Sequence, residues 1–228
     1  MKIAGVQKFS LIDYPGKLSA VVFTQGCNFR CPFCHNPELV LPEQYGALVA
    51  TDSLFQLFAK RRRQLDGIVI TGGEPTLQED LVDFIRDIKK MDYLVKLDTN
   101  GSRPLVLNEL LRENLVDYIA MDIKAPLAKY PAVCGVEARL DDIRNSIEII
   151  KNSGVSFMFR TTVVKRFLNI HDLLEIQNLA GNQGHYQLQN FSLAAKVLDN
   201  NLRDASQYTD VEIQNFQKYL ANPDLIPL

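Results

Sequence analysis

Leu18-Ser19-Ala20-Val21-Val22-Phe23-Thr24-Gln25-Gly26-Cys27-Asn28-Phe29-Arg30-Cys31-Pro32-Phe33-Cys34-His35-Asn36 carries both the fold signal and the chemistry of this chain. Its first half is an apolar, β-branched run, the pattern of a buried strand. Its second half is a loop with the spacing C-x3-C-x2-C. Three thiolates on one short loop can grip three corners of a cubane iron–sulfur cluster. The fourth iron would then lack a protein thiolate and stay open to a substrate ligand, as catalytic metal sites do. Two other readings compete. A zinc site could use Cys27, Cys31, Cys34 and His35, but adjacent Cys34 and His35 would strain to reach two vertices of one tetrahedron. Alternatively, the three cysteines are unrelated. Cys134, just before Gly135, is either a remote fourth ligand or an ordinary thiol.

Outward from this stretch, apolar strand patterns alternate with helical ones. Thr51-Asp52 can cap a helix through about Gln64, burying Leu54, Phe55, Leu57 and Phe58. Gly67–Thr71 reads as a short buried strand. After Gln78, Leu81, Phe84, Ile85 and Ile88 share one helical face. Tyr93–Asp98 is a strand broken by the turn signal Asn100-Gly101. Next come a helix over Pro104–Asn114, a strand over Asp117–Asp122 and a helix over Leu140–Ser153, with Ile143, Ile147 and Ile150 inward and Gly154 as stop. Val155–Val163 is a strand, His171–Ala180 a helix and Tyr186–Phe191 a strand. Thr209-Asp210-Val211-Glu212 is a capping box opening a last helix.

About six strand–helix units imply an α/β fold with a parallel sheet and right-handed crossovers. Too few for an eight-stranded closed barrel, they predict an open partial (β/α)6 barrel with its site at the C-terminal strand ends. The chain reads as a single domain over 1–228, with a core at about 18–192 and a helical extension at about 205–228. Its 46% hydrophobic and 23% charged residues suit a globular protein, and a net charge of −2 argues against nucleic acid. No apolar run is long enough to span a membrane and Met1–Val6 shows no signal-peptide pattern, so a cytoplasmic protein with reduced thiols is expected. The basic run Lys60-Arg61-Arg62-Arg63 reads first as a solvated helix end and second as a docking patch for an acidic electron carrier.

The cysteine loop, with Phe33 before its last cysteine, resembles the signature of the radical S-adenosylmethionine (radical SAM) superfamily. Gly72-Gly73-Glu74-Pro75, after the second predicted strand, is similar to a second element of that family. Cys34-His35-Asn36-Pro37, Leu97-Asp98-Thr99-Asn100-Gly101 and Met121-Asp122-Ile123-Lys124 resemble the activases of glycyl radical enzymes. Ser10-Leu11-Ile12-Asp13-Tyr14-Pro15-Gly16-Lys17 is similar to the N-terminus of anaerobic ribonucleoside-triphosphate reductase activating proteins. The resemblance runs from about Gly5 to Phe191 and thins beyond.

The resemblance implies a radical SAM oxidoreductase with a 4Fe-4S cluster and S-adenosylmethionine. Reductive cleavage would give methionine and a 5′-deoxyadenosyl radical that takes hydrogen from a glycine of a partner, anaerobic ribonucleotide reductase. A flavodoxin or ferredoxin would supply the electron. Cys27, Cys31 and Cys34 would hold the cluster. Glu74 would bind the methionine ammonium, with Gly72 and Gly73 allowing close backbone approach; a plain strand-to-helix turn is the alternative. Phe33 would shield the cluster and contact adenine, or serve as core. His35 and Asn36 would be supporting donors or loop caps. Asp98, Thr99, Asp122 and the Ala120 carbonyl would bind a monovalent cation beside the ligand carboxylate; the acids could instead be strand-end turn residues. Lys124 and Arg160 would meet the ligand carboxylate or ribose, or form surface ion pairs. Ser192 falls where the family has a late adenosine contact, although Gln189-Asn190-Phe191-Ser192 departs from the activase pattern ending in histidine. The competing functions are a radical enzyme acting on a small molecule and a zinc-stabilised binding module.

Overall fold

The computed structural model describes residues 1–181, 185–192, 196–202 and 207–226. Strands β1 (Ile3–Ser10) and β2 (Ser19–Thr24) form an antiparallel pair. The cysteine loop leads into α1 (Pro37–Val40) and then α2 (Thr51–Arg61). Alternation follows: β3 (Gly67–Gly72), α3 (Leu81–Lys90), β4 (Leu94–Thr99), α4 (Pro104–Arg112) and β5 (Tyr118–Asp122). After β5 come α5 (Tyr130–Cys134), α6 (Leu140–Lys151), β6 (Ser156–Val163), α7 (Ile170–Ala180), β7 (Tyr186–Asn190) and α8 (Asp210–Ala221). The strands make one sheet in the order β1 to β7, parallel from β2 onward. Because β1 and β7 do not pair, the sheet stays open.

The six expected parallel strands are present. The strand at Ser19 is the second, however, because β1 precedes it at the antiparallel edge. Only Ile3 and Ser10 of β1 are buried, so it lacks the continuous apolar run that marks central strands. The helix expected to reach Gln64 ends at Arg61, and Ala50 rather than Thr51 occupies its N-cap, without a side-chain cap bond.

Side-chain alternation divides the sheet into two faces. Ala20, Val22, Ile68, Ile70, Val95, Leu97, Ile119 and Met121 face the helices and join the main core. Leu54 and Phe58 of α2, the α3 face Leu81/Phe84/Ile85/Ile88, and Ile143/Ile147/Ile150 of α6 complete that core. The opposite face holds a small cluster of Tyr14, Val21 and Val69. Tyr14, from the β1–β2 connection, lies against Tyr118 with ring centroids 5.9 Å apart. It fills the inner face near the N-terminal strand ends, so that face is dry at one end and polar at the other.

Of the expected C-terminal extension, residues 205–206 and 227–228 lie outside the described residues. Its helix α8 opens on the Thr209–Glu212 capping box, and Tyr208 donates to the Leu168 carbonyl at 2.8 Å. Thr209→Ala is expected to lower unfolding free energy by ~1 kcal/mol in denaturant titrations.

Candidate active site

The polar end of the inner face is built by strand periodicity. On β3 the residue two after Val69 is Thr71; on β4 the alternating inner residues are Lys96 and Asp98; on β5 they are Ala120 and Asp122. Asp122 lies in register with Arg160 of β6. Thr71, Asp98, Asp122, Arg160 and the cysteine loop line a cavity of about 270 Å³. Cys27, Cys31, Phe33, Cys34, His35 and Asn36 form one wall; Gly72, Gly73, Glu74, Asp98, Thr99, Asp122, Lys124 and Arg160 form another. The structure thus brings together the predicted site residues except Ala120, which is not among the lining residues, and Ser192. That residue does not line the cavity; its carbonyl meets the His35 ring at 2.9 Å. Gln189 and Thr162 line this side instead.

The cysteine loop is held on several sides. Gly26 has φ +104°, donates to the Leu39 carbonyl at 2.7 Å, and accepts from Glu74 N–H at 2.8 Å. A Cβ on Gly73 would overlap the Gly26 carbonyl, so the close approach of these two segments requires glycine. Arg30 ties the loop to itself by donating to the Cys27 and Phe29 carbonyls at 2.7 and 2.8 Å. Phe33 is buried against Phe167, and His35 stacks on Phe191 at 5.4 Å.

The sulfurs sit among donors. Phe29 N–H donates to Cys27 Sγ at 3.4 Å, and Asn100 Nδ2 reaches the same sulfur at 3.9 Å. Burial, then the Glu74 charge, push the Cys27 thiol up to about 12. Burial also raises Cys34. Cys31 goes the other way, because a hydrogen bond with Cys134 favours its thiolate; the same bond pushes Cys134 up. Remote in sequence, Cys134 is adjacent to the loop in space.

Glu74 is fully buried. Its Oε1 accepts from Thr76 N–H at 3.0 Å, from the Thr76 hydroxyl, and from Thr99 Oγ1 at 2.8 Å. Its Oε2 accepts from Asn100 N–H at 2.6 Å. Burial raises the carboxyl, opposed by these donors, which favour its ionised form. Glu74 therefore ties the end of β3 to the end of β4, a role the sequence did not show. Oε2 retains a lone pair for a further donor.

Asp98 and Asp122 share a set of cations. Lys96 pairs with Asp98 Oδ1, while Arg160 reaches Asp98 Oδ2 at 3.5 Å and Asp122 Oδ1 at 2.8 Å. Lys124 pairs with Asp122 Oδ2 at 2.8 Å. Burial opposes the Asp122 charge, but Arg160 and Lys124 outweigh it and hold the carboxyl well below the usual range. The same pairing outweighs desolvation at Lys124 and Arg160 and raises both. Lys124 and Arg160 thus make ion pairs inside the cavity rather than on the surface. Lys96 was missed in sequence because it interrupts an apolar strand; its position two residues before Asp98 on the same strand face was the available signal.

The basic run Lys60–Arg63 lies at the end of α2, where Arg62 pairs with Asp92 and Arg61 donates to the Lys8 carbonyl at 3.0 Å. It precedes the N-terminal end of β3, whereas the cavity lies at the C-terminal ends. A strand's length, roughly 20 Å, separates the two, which favours the solvated helix end over an electron-carrier dock.

A cysteine loop after the first parallel strand, facing a glycine–glutamate turn after the next, defines a class of protein. Residues 21–180 match the family model of the Radical SAM superfamily, and the chain belongs to that superfamily. It is 36% identical over 198 residues to a protein of Methanocaldococcus jannaschii named putative glycyl-radical enzyme activating enzyme, covering 83% of this chain and 79% of that one. It is 28% identical over 235 residues to the pyruvate formate-lyase-activating enzyme of Clostridium pasteurianum, covering 96% of each. Among solved structures, Streptococcus suis SuiB bound to precursor peptide SuiA superposes with a TM-score of 0.69 at 12% identity, covering 89% of this chain and 45% of that one. A domain of a pyruvate-formate lyase-activating enzyme from Bacteroides vulgatus gives 0.51 at 16%, covering 70% and 95%. At such identities the solved structures bear on the fold alone. Membership implies a 4Fe-4S cluster and S-adenosylmethionine. Among the described residues no helix is long and apolar enough to cross a membrane.

Proposed function

We propose that this chain is a glycyl radical enzyme activase that cleaves S-adenosylmethionine reductively at a cluster held by Cys27, Cys31 and Cys34. The observation that carries the reading is the single cavity joining the three cysteines to the β3, β4 and β5 strand ends. Among the described residues no three Cys, His, Asp or Glu side chains converge closely enough to hold one metal ion. A cubane gives each thiolate its own corner iron, so sulfurs spread along one wall suit a cluster better than a single zinc. The donors already aimed at Cys27 Sγ fit a thiolate ligand.

Bound together, cluster and S-adenosylmethionine supply one-electron cleavage of a sulfonium carbon–sulfur bond. The chain's residues would position them. Glu74 lines the cavity, and a remaining lone pair of its Oε2 would take the ligand ammonium. Gly72 and Gly73 bring backbone close, and Lys124 and Arg160 carry charge for the ligand carboxylate or ribose. Phe33 would exclude water beside the cluster, and His35, held by Phe191 and the Ser192 carbonyl, and Asn36 would be supporting donors from the cavity wall. Ser192 has a weaker claim, because its carbonyl is engaged by His35.

A monovalent cation at Asp98, Thr99, Asp122 and the Ala120 carbonyl loses its electrostatic motive here. Both oxygens of each acid already meet side-chain cations, so the charge that a free ion would balance is already balanced. Cleavage of S-adenosylmethionine is expected at equal rates in sodium, potassium or a bulky organic cation at constant ionic strength. A strict requirement for one alkali ion would contradict this reading and return the cation to these residues.

The partner side of the reading rests on the relatives that span most of this chain, which carry the names glycyl-radical enzyme activating enzyme and pyruvate formate-lyase-activating enzyme. They favour a glycine loop presented by a large partner over a small-molecule substrate. The Ser10–Lys17 resemblance favours anaerobic ribonucleoside-triphosphate reductase, with a flavodoxin or ferredoxin as electron source. Mixing reduced protein and S-adenosylmethionine with that reductase should give a glycyl radical signal by electron paramagnetic resonance (EPR). Production of 5′-deoxyadenosine without that signal would remove the reductase as partner.

A further inference from the structure

Lys96 puts an ammonium group where the fold asks for an apolar side chain. It stands in β4 in register with Val69 of β3 and Tyr118 of β5, and only 3% of it is exposed. The same sheet face carries the cluster of Tyr14, Val21 and Val69, with Tyr118 packed against it. Lys96 Nζ lies 6.0 Å from the Tyr118 ring centroid and pairs with Asp98 Oδ1. The other oxygen of Asp98 accepts from Thr71 Oγ1 at 3.2 Å and from Arg160 at 3.5 Å. Asp98 lines the cavity and Lys96 does not, so the ammonium acts on the site through Asp98.

Burying an ammonium group is costly, and apolar residues in place of a buried ion pair are often as stable or more so. Stability therefore gives no reason for Lys96, whereas charge does. Lys96, Lys124 and Arg160 face Asp98 and Asp122, three positive groups against two negative ones. That leaves a surplus of one positive charge for a ligand carboxylate. Without Lys96 the set is neutral, and the carboxylate arrives uncompensated.

Building on the cofactor reading above, we propose that Lys96 is a positioning residue that serves as a built-in monovalent cation, pairing Asp98 from below so that the cavity receives a carboxylate-bearing ligand without an alkali ion. An ammonium on a lysine stem is a compact point charge, and the tether keeps it in place whatever the salt. Vacating its place leaves a buried, uncompensated carboxylate beside an empty space. Potassium or ammonium ions can enter that space, and the bulky tetramethylammonium ion cannot.

The test uses the full chain as wild type, Lys96→Ala, Lys96→Met and the double variant Lys96→Ala/Asp98→Asn. Melting temperatures of the apoproteins are measured in potassium, ammonium and tetramethylammonium chloride at equal ionic strength. The reconstituted proteins are then assayed for 5′-deoxyadenosine in the same salts. The wild type should be indifferent to the cation in both measurements. Lys96→Ala should melt lower in tetramethylammonium, recover in part in potassium or ammonium, and form severalfold more product in those ions. Lys96→Met, which removes the charge and fills the space, should melt low in every salt, and the double variant should show no ion response. If Lys96→Ala is unfolded in tetramethylammonium, folding regained on adding potassium or ammonium supports the proposal, and no regain overturns it. Equal behaviour of Lys96→Ala in all three salts overturns it too, as does an ion response that survives in the double variant. A wild type that makes no 5′-deoxyadenosine would instead overturn the activase reading, and the melting temperatures would still decide the role of Lys96.

Discussion

Cys31→Ala is expected to yield a folded protein that no longer assembles a full cluster and forms no 5′-deoxyadenosine above background. Cys31 is the central thiol of the loop in sequence, and it lines the cavity together with Cys27 and Cys34. Removing it leaves two thiolates for a cubane that needs three from this chain, and opens a second iron to water. The backbone around it should hold, because the loop is tied through Gly26, Arg30 and the Cys34 N–H to Cys31 carbonyl bond at 3.0 Å, none of which uses the thiol. Circular dichroism should therefore match the wild type while iron and sulfide fall below stoichiometry. A complete, redox-active cluster in this variant would contradict the ligand assignment.

Glu74→Ala should fail differently, by loosening the protein as well as silencing it. The carboxylate gathers four donors from Thr76, Thr99 and Asn100, all of them buried residues. The two hydroxyls can turn toward other acceptors, but the Thr76 and Asn100 N–H groups cannot. Two orphaned buried donors cost roughly 2–6 kcal/mol, a large part of the stability of an ordinary domain. Denaturant unfolding of the apoprotein should show that loss. Glu74→Gln, which keeps one acceptor oxygen, should fall between. An unchanged midpoint in Glu74→Ala would mean that the tie between β3 and β4 is not structural, leaving Glu74 with a ligand role only.

The unequal legibility of these features has physical causes. Strands β2 to β5 were readable because both faces are covered, which demands continuous apolar runs such as Ala20-Val21-Val22 and Ile68-Val69-Ile70. β1 was not, because an edge strand with one half-exposed face tolerates Gly5, Gln7 and Lys8. The cysteine spacing and the turn Gly72-Gly73-Glu74 were readable because each is a local pattern. The Glu74 bonds to Thr99 and Asn100, the Lys96–Asp98–Arg160–Asp122 charge chain and the Cys31–Cys134 pair depend on which strands become neighbours. Only the parallel register that sets Asp122 opposite Arg160 makes them visible. Tyr14 is an intermediate case: its segment was singled out by resemblance, and the structure gives it a packing role on the floor of the inner face.

The central claim is that this chain holds a cluster on three cysteines and uses it to cleave S-adenosylmethionine. The most direct measurement is anaerobic reconstitution with iron and sulfide, one-electron reduction, addition of S-adenosylmethionine, and chromatographic assay of the products. Methionine and 5′-deoxyadenosine in equal amounts are the predicted result; a reduced, cluster-loaded protein that releases neither would contradict the account.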